Sequence, residues 1–336
     1  MCSLPGTTRC VVFDEKDRID IREFPLPAPG PGEALIQTVC SLISAGTELG
    51  TLETTADSGK ARRPGYSNVG RIVALGPHDP PCPYTEGDLV ATLKGHADYV
   101  VAPTRPQAMA PVPPEVSAEE ATFTVLGSVS IHGVHKAAVQ MGEHVAVSGL
   151  GLVGQLALQM LAHTGADTLV GIDFEPVRLQ TAKDTGATHV VNPKKDDLPA
   201  LVRDLTGGRG LDVTVEASGY PEALLTAFDV ARIGGRVMCL GSIWRRKIEI
   251  DFMDFHEKEL VLVGCHQPKC PVVDTPYWRW TQPHNRRHVL RLIAQGRLNV
   301  KRLITHRLPY TEAAEGYRLL REEKDRALGV ILQFKP

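Results

Sequence analysis

With 336 residues the chain exceeds the size one hydrophobic core usually serves, so two domains are expected. Hydrophobic residues make up 43% and charged residues 23%, and with a net charge of −2 and no long like-charge run no nucleic-acid partner is expected. No apolar stretch approaches the roughly 18 residues of a membrane span, so no membrane partner is expected.

The seven cysteines form no C-x-x-C pair and several fall in apolar runs, which reads as buried reduced thiols in a cytoplasmic protein. Residues 1–125 carry short alternating runs (CVVFD, EALIQTV, VGRIVALG, GDLVATL, DYVVAP) between Pro/Gly clusters, which predicts a small antiparallel barrel. From 143 to 265, strands (HVAVSG, TLVGID, THVVN, DVTVEASG, RVMCLGS, LVLVGC) alternate with helix-length segments, predicting a parallel doubly wound sheet. Helices are expected over 284–296 and 311–323, the latter capped by Thr311, before a last strand LGVILQF.

Residues 143–173 hold the chain's clearest chemistry: an apolar strand, the turn Gly149-x-Gly151-x-x-Gly154, a helix, and a second strand ending in Asp173. Gly149 permits the tight turn, Gly151 lets the backbone approach a pyrophosphate, and Gly154 allows close helix–strand packing. The diphosphate is then expected at the helix start, against the N–H groups of Leu152 and Val153. Asp173 should accept from the adenosine ribose hydroxyls and repel a 2′-phosphate, which favours NAD over NADP. Arg178 either approaches the same ribose or faces solvent. Ser128, Ser218 with Gly219, and Gly241 with Ser242 are candidates for the nicotinamide half, or ordinary turn residues.

The barrel-then-Rossmann order resembles the medium-chain dehydrogenase/reductase superfamily over nearly the whole chain. PGYSNVGRIVALG (64–76), EGDLVA (86–91), HADYVVAP (96–103), the glycine turn and LITHRLPYTEAAEGYRLL (303–320) carry the resemblance. It implies a GroES-like catalytic domain over 1–125, a Rossmann domain over 126–266, and a segment 267–336 returning to the catalytic domain. It also implies a homodimer or homotetramer, with ELVLVGC (259–265) pairing near a two-fold axis.

Zinc members of the family hold a catalytic metal with a Cys, a His and a Cys or Asp. Here Ser44 or Ala45, Tyr66 and Thr124 stand at those places, and hydroxyl or methyl groups do not supply zinc's thiolate, imidazole or carboxylate donors. The four-cysteine structural loop is missing as well. Cys265, His266 and Cys270 lie close together, but C-H-x₃-C is not a metal-ligand spacing. No metal is therefore expected, and a side chain must handle the substrate's proton.

Tyr66 is the first candidate for that acid/base, followed by Glu48 and His96, with Thr47 as a proton relay; Lys94, His132 and His135 rank lower. Each has an ordinary packing role as its alternative. The segment 265–287 holds Trp278 and Trp280, whose faces suit a sugar-like ring or, equally, a subunit contact. Ser-x-Gly-Thr-Glu with Pro-Gly-Tyr-Ser resembles a zinc-lacking branch that includes bacteriochlorophyllide dehydrogenases and proteins fused to sugar oxidoreductases. The expected activity is thus NAD-dependent interconversion of a secondary alcohol and a ketone on a small polyol, cyclitol or sugar-like substrate. The alternatives are quinone reductase-like enone reduction and a non-catalytic NAD-binding protein.

Overall fold

The computed structural model describes residues 5–14, 18–58, 60–78, 82–241 and 247–334. The N-terminal elements are β1 (Thr7–Phe13), β2 (Ile19–Pro25), β3 (Glu33–Leu42), α1 (Ala45–Ser58), β4 (Asn68–Leu75), β5 (Leu89–Thr92), β6 (Tyr99–Pro103), β7 (Met109–Pro111) and α2 (Ala118–Ala121). The middle of the chain forms α3 (Thr124–Ala137), β8 (His144–Ser148), α4 (Leu152–Leu161), β9 (Thr168–Ile172), α5 (Pro176–Asp184), β10 (His189–Val191), α6 (Leu198–Thr206), β11 (Leu211–Glu216), α7 (Glu222–Val230), β12 (Ala231–Cys239), α8 (Phe252–Glu257) and β13 (Val261–Gly264). Four elements close it: α9 (Gln282–Ala294), β14 (Ile304–Pro309), α10 (Ala313–Glu322) and β15 (Gly329–Gln333).

Two compact units result. The first takes Met1–Val125, Thr281–Gln295 and Ile304–Pro336. It is the GroES-like barrel: β3 is its spine, paired antiparallel to β4, β6 and β15, while β14 joins β15 in parallel. Strand periodicity explains its two apolar cores. Along β1, Val11 and Phe13 enter a cluster with Ile43, Leu52, Tyr317 and Leu332, whereas Cys10 and Val12 enter another with Ile36, Ile72 and Val90. Alternation along one strand thus feeds both sides.

The second unit takes Leu126–Trp280 and Gly296–Leu303. Its six strands are all parallel, in the order β10-β9-β8-β11-β12-β13, the doubly wound Rossmann arrangement. Buried on both faces, the strands read as near-continuous apolar runs such as HVAVS, where the three middle residues are fully buried. The order reverses between β8 and β11, the switch point outside whose carboxyl ends doubly wound sheets bind their ligands.

Three local features depart from the sequence-based expectations. Residues 45–58 form a helix, α1, inside a stretch that reads as strands and turns; buried Leu52 anchors it to the first core. Thr311 lies in a 3₁₀ turn over Tyr310–Glu312, and Glu312 holds the N-cap place of α10 without a side-chain cap. Residues 267–280, expected with the C-terminal return, pack within the second unit because Gln267, Trp278 and Trp280 find their partners on α3.

Candidate active site

The glycine turn links β8 to α4. Gly149 adopts φ +88°, and a Cβ there would come within 2.4 Å of the Ser218 nitrogen. A Cβ at Gly154 would lie 1.9 Å from the Gly149 carbonyl oxygen. At Gly151, by contrast, a Cβ would meet nothing within 4 Å. Gly151 is also the N-cap of α4 and makes no side-chain cap hydrogen bond, so the positive helix start at Leu152 and Val153 is left uncapped by its own N-cap residue. An open helix start beside a bare backbone turn suits a pyrophosphate.

Asp173 follows β9 and is nearly buried. Its Oδ2 accepts from Leu150 N at 2.7 Å, while Oδ1 accepts from Phe174 N at 2.7 Å and Glu175 N at 2.9 Å. Arg178 Nη1 stands 3.6 Å from Oδ2, and Gln155 donates to the Arg178 carbonyl at 2.7 Å. Arg178 therefore leans toward the acid rather than away from the turn. Asp173 fastens the turn as well as standing at the end of β9 where a ribose is expected. Ser128 is fully buried on α3, 3.5 Å from Gln267 Nε2. Gly241 donates to the Glu216 carbonyl at 2.8 Å. Ser242 lies outside the described residues.

In the first unit, the four candidates for proton chemistry fall into two linked groups. Tyr66 Oη is hydrogen-bonded to Ser44 Oγ and donates to Thr47 Oγ1 at 3.2 Å. Burial pushes the Tyr66 phenol above its ordinary value, opposed by the bonds to Ser44 and Thr47. Beneath it, Glu48 and His96 are sealed from solvent. Glu48 Oε1 accepts from Ser44 N at 2.8 Å; Oε2 accepts from Tyr317 Oη at 2.5 Å and lies 2.9 Å from His96 Nε2. His96 Nδ1 lies 2.7 Å from Ser41 Oγ. Burial, and then the Glu48 charge, push the Tyr317 phenol well up, so it stays a donor.

Gly65 makes room for this network. Its φ is +95°, and a Cβ would meet the His96 ring at 2.7–2.9 Å. Lys94, lower in the ranking, donates its backbone N–H to Thr92 Oγ1, and among the described residues no hydrogen bond joins its ammonium to the network.

The positions corresponding to metal ligands do not fit zinc. Ser44 and Tyr66 bond each other, and the Thr124 hydroxyl is spent on the Ala121 carbonyl at 2.6 Å. Among the described residues no three His, Cys, Asp or Glu side chains gather as a metal cluster. Cys265 and Cys270 are buried thiols directed at the Val263 and Trp280 carbonyls, and burial pushes Cys265 up to about 11.

Trp278 and Trp280 both pack on α3. Trp280 stacks on His135 with centroids 4.0 Å apart, and Trp278 meets His132 edge-on at 6.1 Å. Tyr317, Ser41, Ser44 and Glu216 are site residues that sequence reasoning did not assign a working role. Tyr317 sits inside the motif EGYRLL, but nothing local links it to Glu48, 269 residues away.

The zinc-binding dehydrogenase family matches residues 153–280. The sorbitol dehydrogenase of Bacillus subtilis (strain 168) is 31% identical over 182 residues, covering 54% of this chain; the match spans about half, 49%, of that relative's length. An L-threonine 3-dehydrogenase from Stenotrophomonas maltophilia is 28% identical over 338 residues, 90% of this chain and 93% of the relative. The alcohol dehydrogenase TADH from Thermus sp. ATN1 superposes with a TM-score of 0.80 at 25% identity, covering 97% of this chain and all of its own. Over most of its length the chain is thus similar to medium-chain dehydrogenases/reductases, with one GroES-like unit and one Rossmann unit.

Proposed function

We propose that the protein is an NAD(H)-dependent oxidoreductase that interconverts a secondary alcohol and a ketone on a polyol, cyclitol or sugar-like substrate without zinc. One observation carries the reading: Tyr66, Ser44 and Thr47 form a connected hydroxyl trio where metal-ligating relatives need thiolate and imidazole donors, while the dinucleotide turn is intact. The names of the sorbitol and threonine dehydrogenases support hydroxyl-bearing substrates.

When bound, the nicotinamide supplies hydride acceptance or donation. The protein's own residues do the rest. Gly149, Gly151, Gly154 and the start of α4 take the diphosphate, with Asp173 and Arg178 at the adenosine ribose and Ser128, Ser218 and Gly241 toward the nicotinamide half. Tyr66 gives a proton to the carbonyl oxygen in reduction and takes one from the alcohol in oxidation, with Ser44 or Thr47 passing it on. Burial keeps the phenol protonated near neutral pH, the form that donates in reduction. Glu48, His96 and Tyr317 hold the start of α1 in place beneath that trio. Asp173 favours NAD over NADP. Exposed Val261 and Leu262 on edge strand β13 support a homodimer formed through that edge.

The deciding experiment is a screen of secondary alcohols and polyols with NAD⁺ after exhaustive chelation. Turnover that persists with well under one zinc per chain supports the reading; turnover abolished by metal removal overturns it.

A further inference from the structure

Glu216, the last residue of β11, carries a fully buried carboxyl group that the proton chemistry above does not use. Its Oε1 accepts from Ser218 N at 2.6 Å, from Gly219 N at 3.1 Å and from the Ser218 hydroxyl. Ser218 Oγ in turn accepts from Tyr220 N at 3.1 Å. The Glu216 main-chain carbonyl accepts from Leu240 N and Gly241 N, each at 2.8 Å. One residue thus fastens its own loop by its side chain and the end of β12 by its backbone.

The surroundings of this knot are shaped to it. Ser218 presses on Gly149, where a Cβ would lie 2.4–2.6 Å from the Ser218 nitrogen, Cα and Cβ. On the other side, a Cβ at Gly241 would fall 2.4 Å from Gly219 N and 2.9 Å from Glu216 Oε2. Two positions assigned to the cofactor are glycines here because the Glu216 loop occupies the space. Among the described residues Oε2 itself is sealed with no hydrogen-bond partner, and burial pushes the group's pKa up against the Ser218 and Gly219 bonds. An acid in such a place works against stability, and an apolar or amide side chain would cost less.

We propose that Glu216 is a positioning residue for the cofactor: by hanging Ser218 and Gly219 from one oxygen, it fixes the segment that abuts the glycine turn before the dinucleotide arrives. Three donors on one oxygen leave the 217–219 backbone little freedom to lose on binding, which is how preorganisation raises affinity. The inference rests on the cofactor reading given above.

The test uses the full chain with NADH as the probe, and Glu216→Ala beside Glu216→Gln. A glutamine oxygen accepts the same three donors, so Glu216→Gln should bind NADH within about threefold of wild type. Glu216→Ala should weaken NADH at least tenfold while kcat at saturating cofactor stays within about threefold. The Ser218 and Gly219 amides should exchange hydrogen at least tenfold faster in the alanine variant and at the wild-type rate in the glutamine variant. Gly241→Ala keeps the carboxyl and presses on Gly219; it should also weaken NADH, and it serves if Glu216→Ala does not fold. Unchanged NADH affinity or unchanged exchange in Glu216→Ala overturns the proposal. So does a glutamine variant as impaired as the alanine one, because charge rather than the knot would then matter. If wild type itself takes up no NADH, the cofactor reading falls, and the exchange rates still decide whether Glu216 pins the loop.

Discussion

Glu48 Oε2 lies 2.9 Å from His96 Nε2, with the two side chains 3% and 0% exposed. Every hydrogen-bonding atom of both has a protein partner: Ser44 N and Tyr317 Oη complete the carboxylate, and Ser41 Oγ completes the imidazole. Groups sealed in this way are expected to brace the site rather than meet a substrate. Their removal should be felt first in stability. His96→Leu leaves Glu48 short of a partner, which should cost about 2–3 kcal/mol and lower Tm by roughly 5–10 °C. Calorimetry checks this, and an unchanged Tm would contradict the bracing role.

Tyr66 stands above that brace, in contact with Ser44 and Thr47. Tyr66→Phe keeps the ring and removes the proton, so kcat should fall about 100-fold with NAD affinity within a few-fold. Because burial holds the phenol above its ordinary value, alcohol oxidation should climb with pH through the alkaline range as the base form grows. Ketone reduction should stay flat until the phenol ionises. Tyr66→Phe should abolish the alkaline climb; a variant with wild-type kcat and the same pH profile would move the acid/base elsewhere.

Asp173 accepts three backbone N–H groups, from Leu150, Phe174 and Glu175. Wild type should prefer NAD(H) over NADP(H) by titration. Asp173→Ala should narrow that preference mainly by losing NAD affinity, at least tenfold, because the turn itself loosens. Equal affinity of the wild type for both cofactors would sink the assignment.

His132 is buried on α3, and burial, then the charges of Lys136 and His266, lower its pKa to about 4. A depressed histidine contributes stability in full above its unfolded pKa of about 6.5, and that contribution is lost as pH falls toward 4. The loss should reach up to about 3 kcal/mol. Denaturant titrations at pH 7 and pH 4 should show a smaller difference in His132→Gln than in wild type; identical differences would remove His132 as a cause.

Strand β13 closes the sheet with Val261 and Leu262 exposed. A charge at that edge should block pairing with a second copy. Light scattering should give a mass at least twice 36.5 kDa for wild type and a shift toward one chain for Leu262→Lys. A monomeric wild type at micromolar concentration would rule out the pairing.

The second unit was readable from sequence because its signals are local. A parallel sheet buried on both faces writes itself as apolar runs, and Gly149, Gly151, Gly154 and Asp173 keep a fixed spacing. The first unit was less so. Residues 45–58 hold four threonines and two glycines, poor helix formers, and the helix exists because Leu52 and its neighbours bury against the first core. The Tyr317–Glu48 bond joins positions 269 apart and depends on the chain's return to the barrel, which no local pattern encodes. Trp278 and Trp280 stood out as rare aromatics, but whether they face a ligand or a helix is a matter of packing. Glu216 carries no such mark, because a lone acid at a strand end resembles many solvent-facing ones.

Gly65, whose missing side chain accommodates the His96 ring, divides mutational tolerance sharply between neighbours. Randomising codons 65 and 66 together should return folded clones in which the second position varies widely and the first is almost always glycine. Position 66 can drift in chemistry while the backbone holds; position 65 cannot. The steric demand at the turn thus holds independently of the reaction that the neighbouring tyrosine serves.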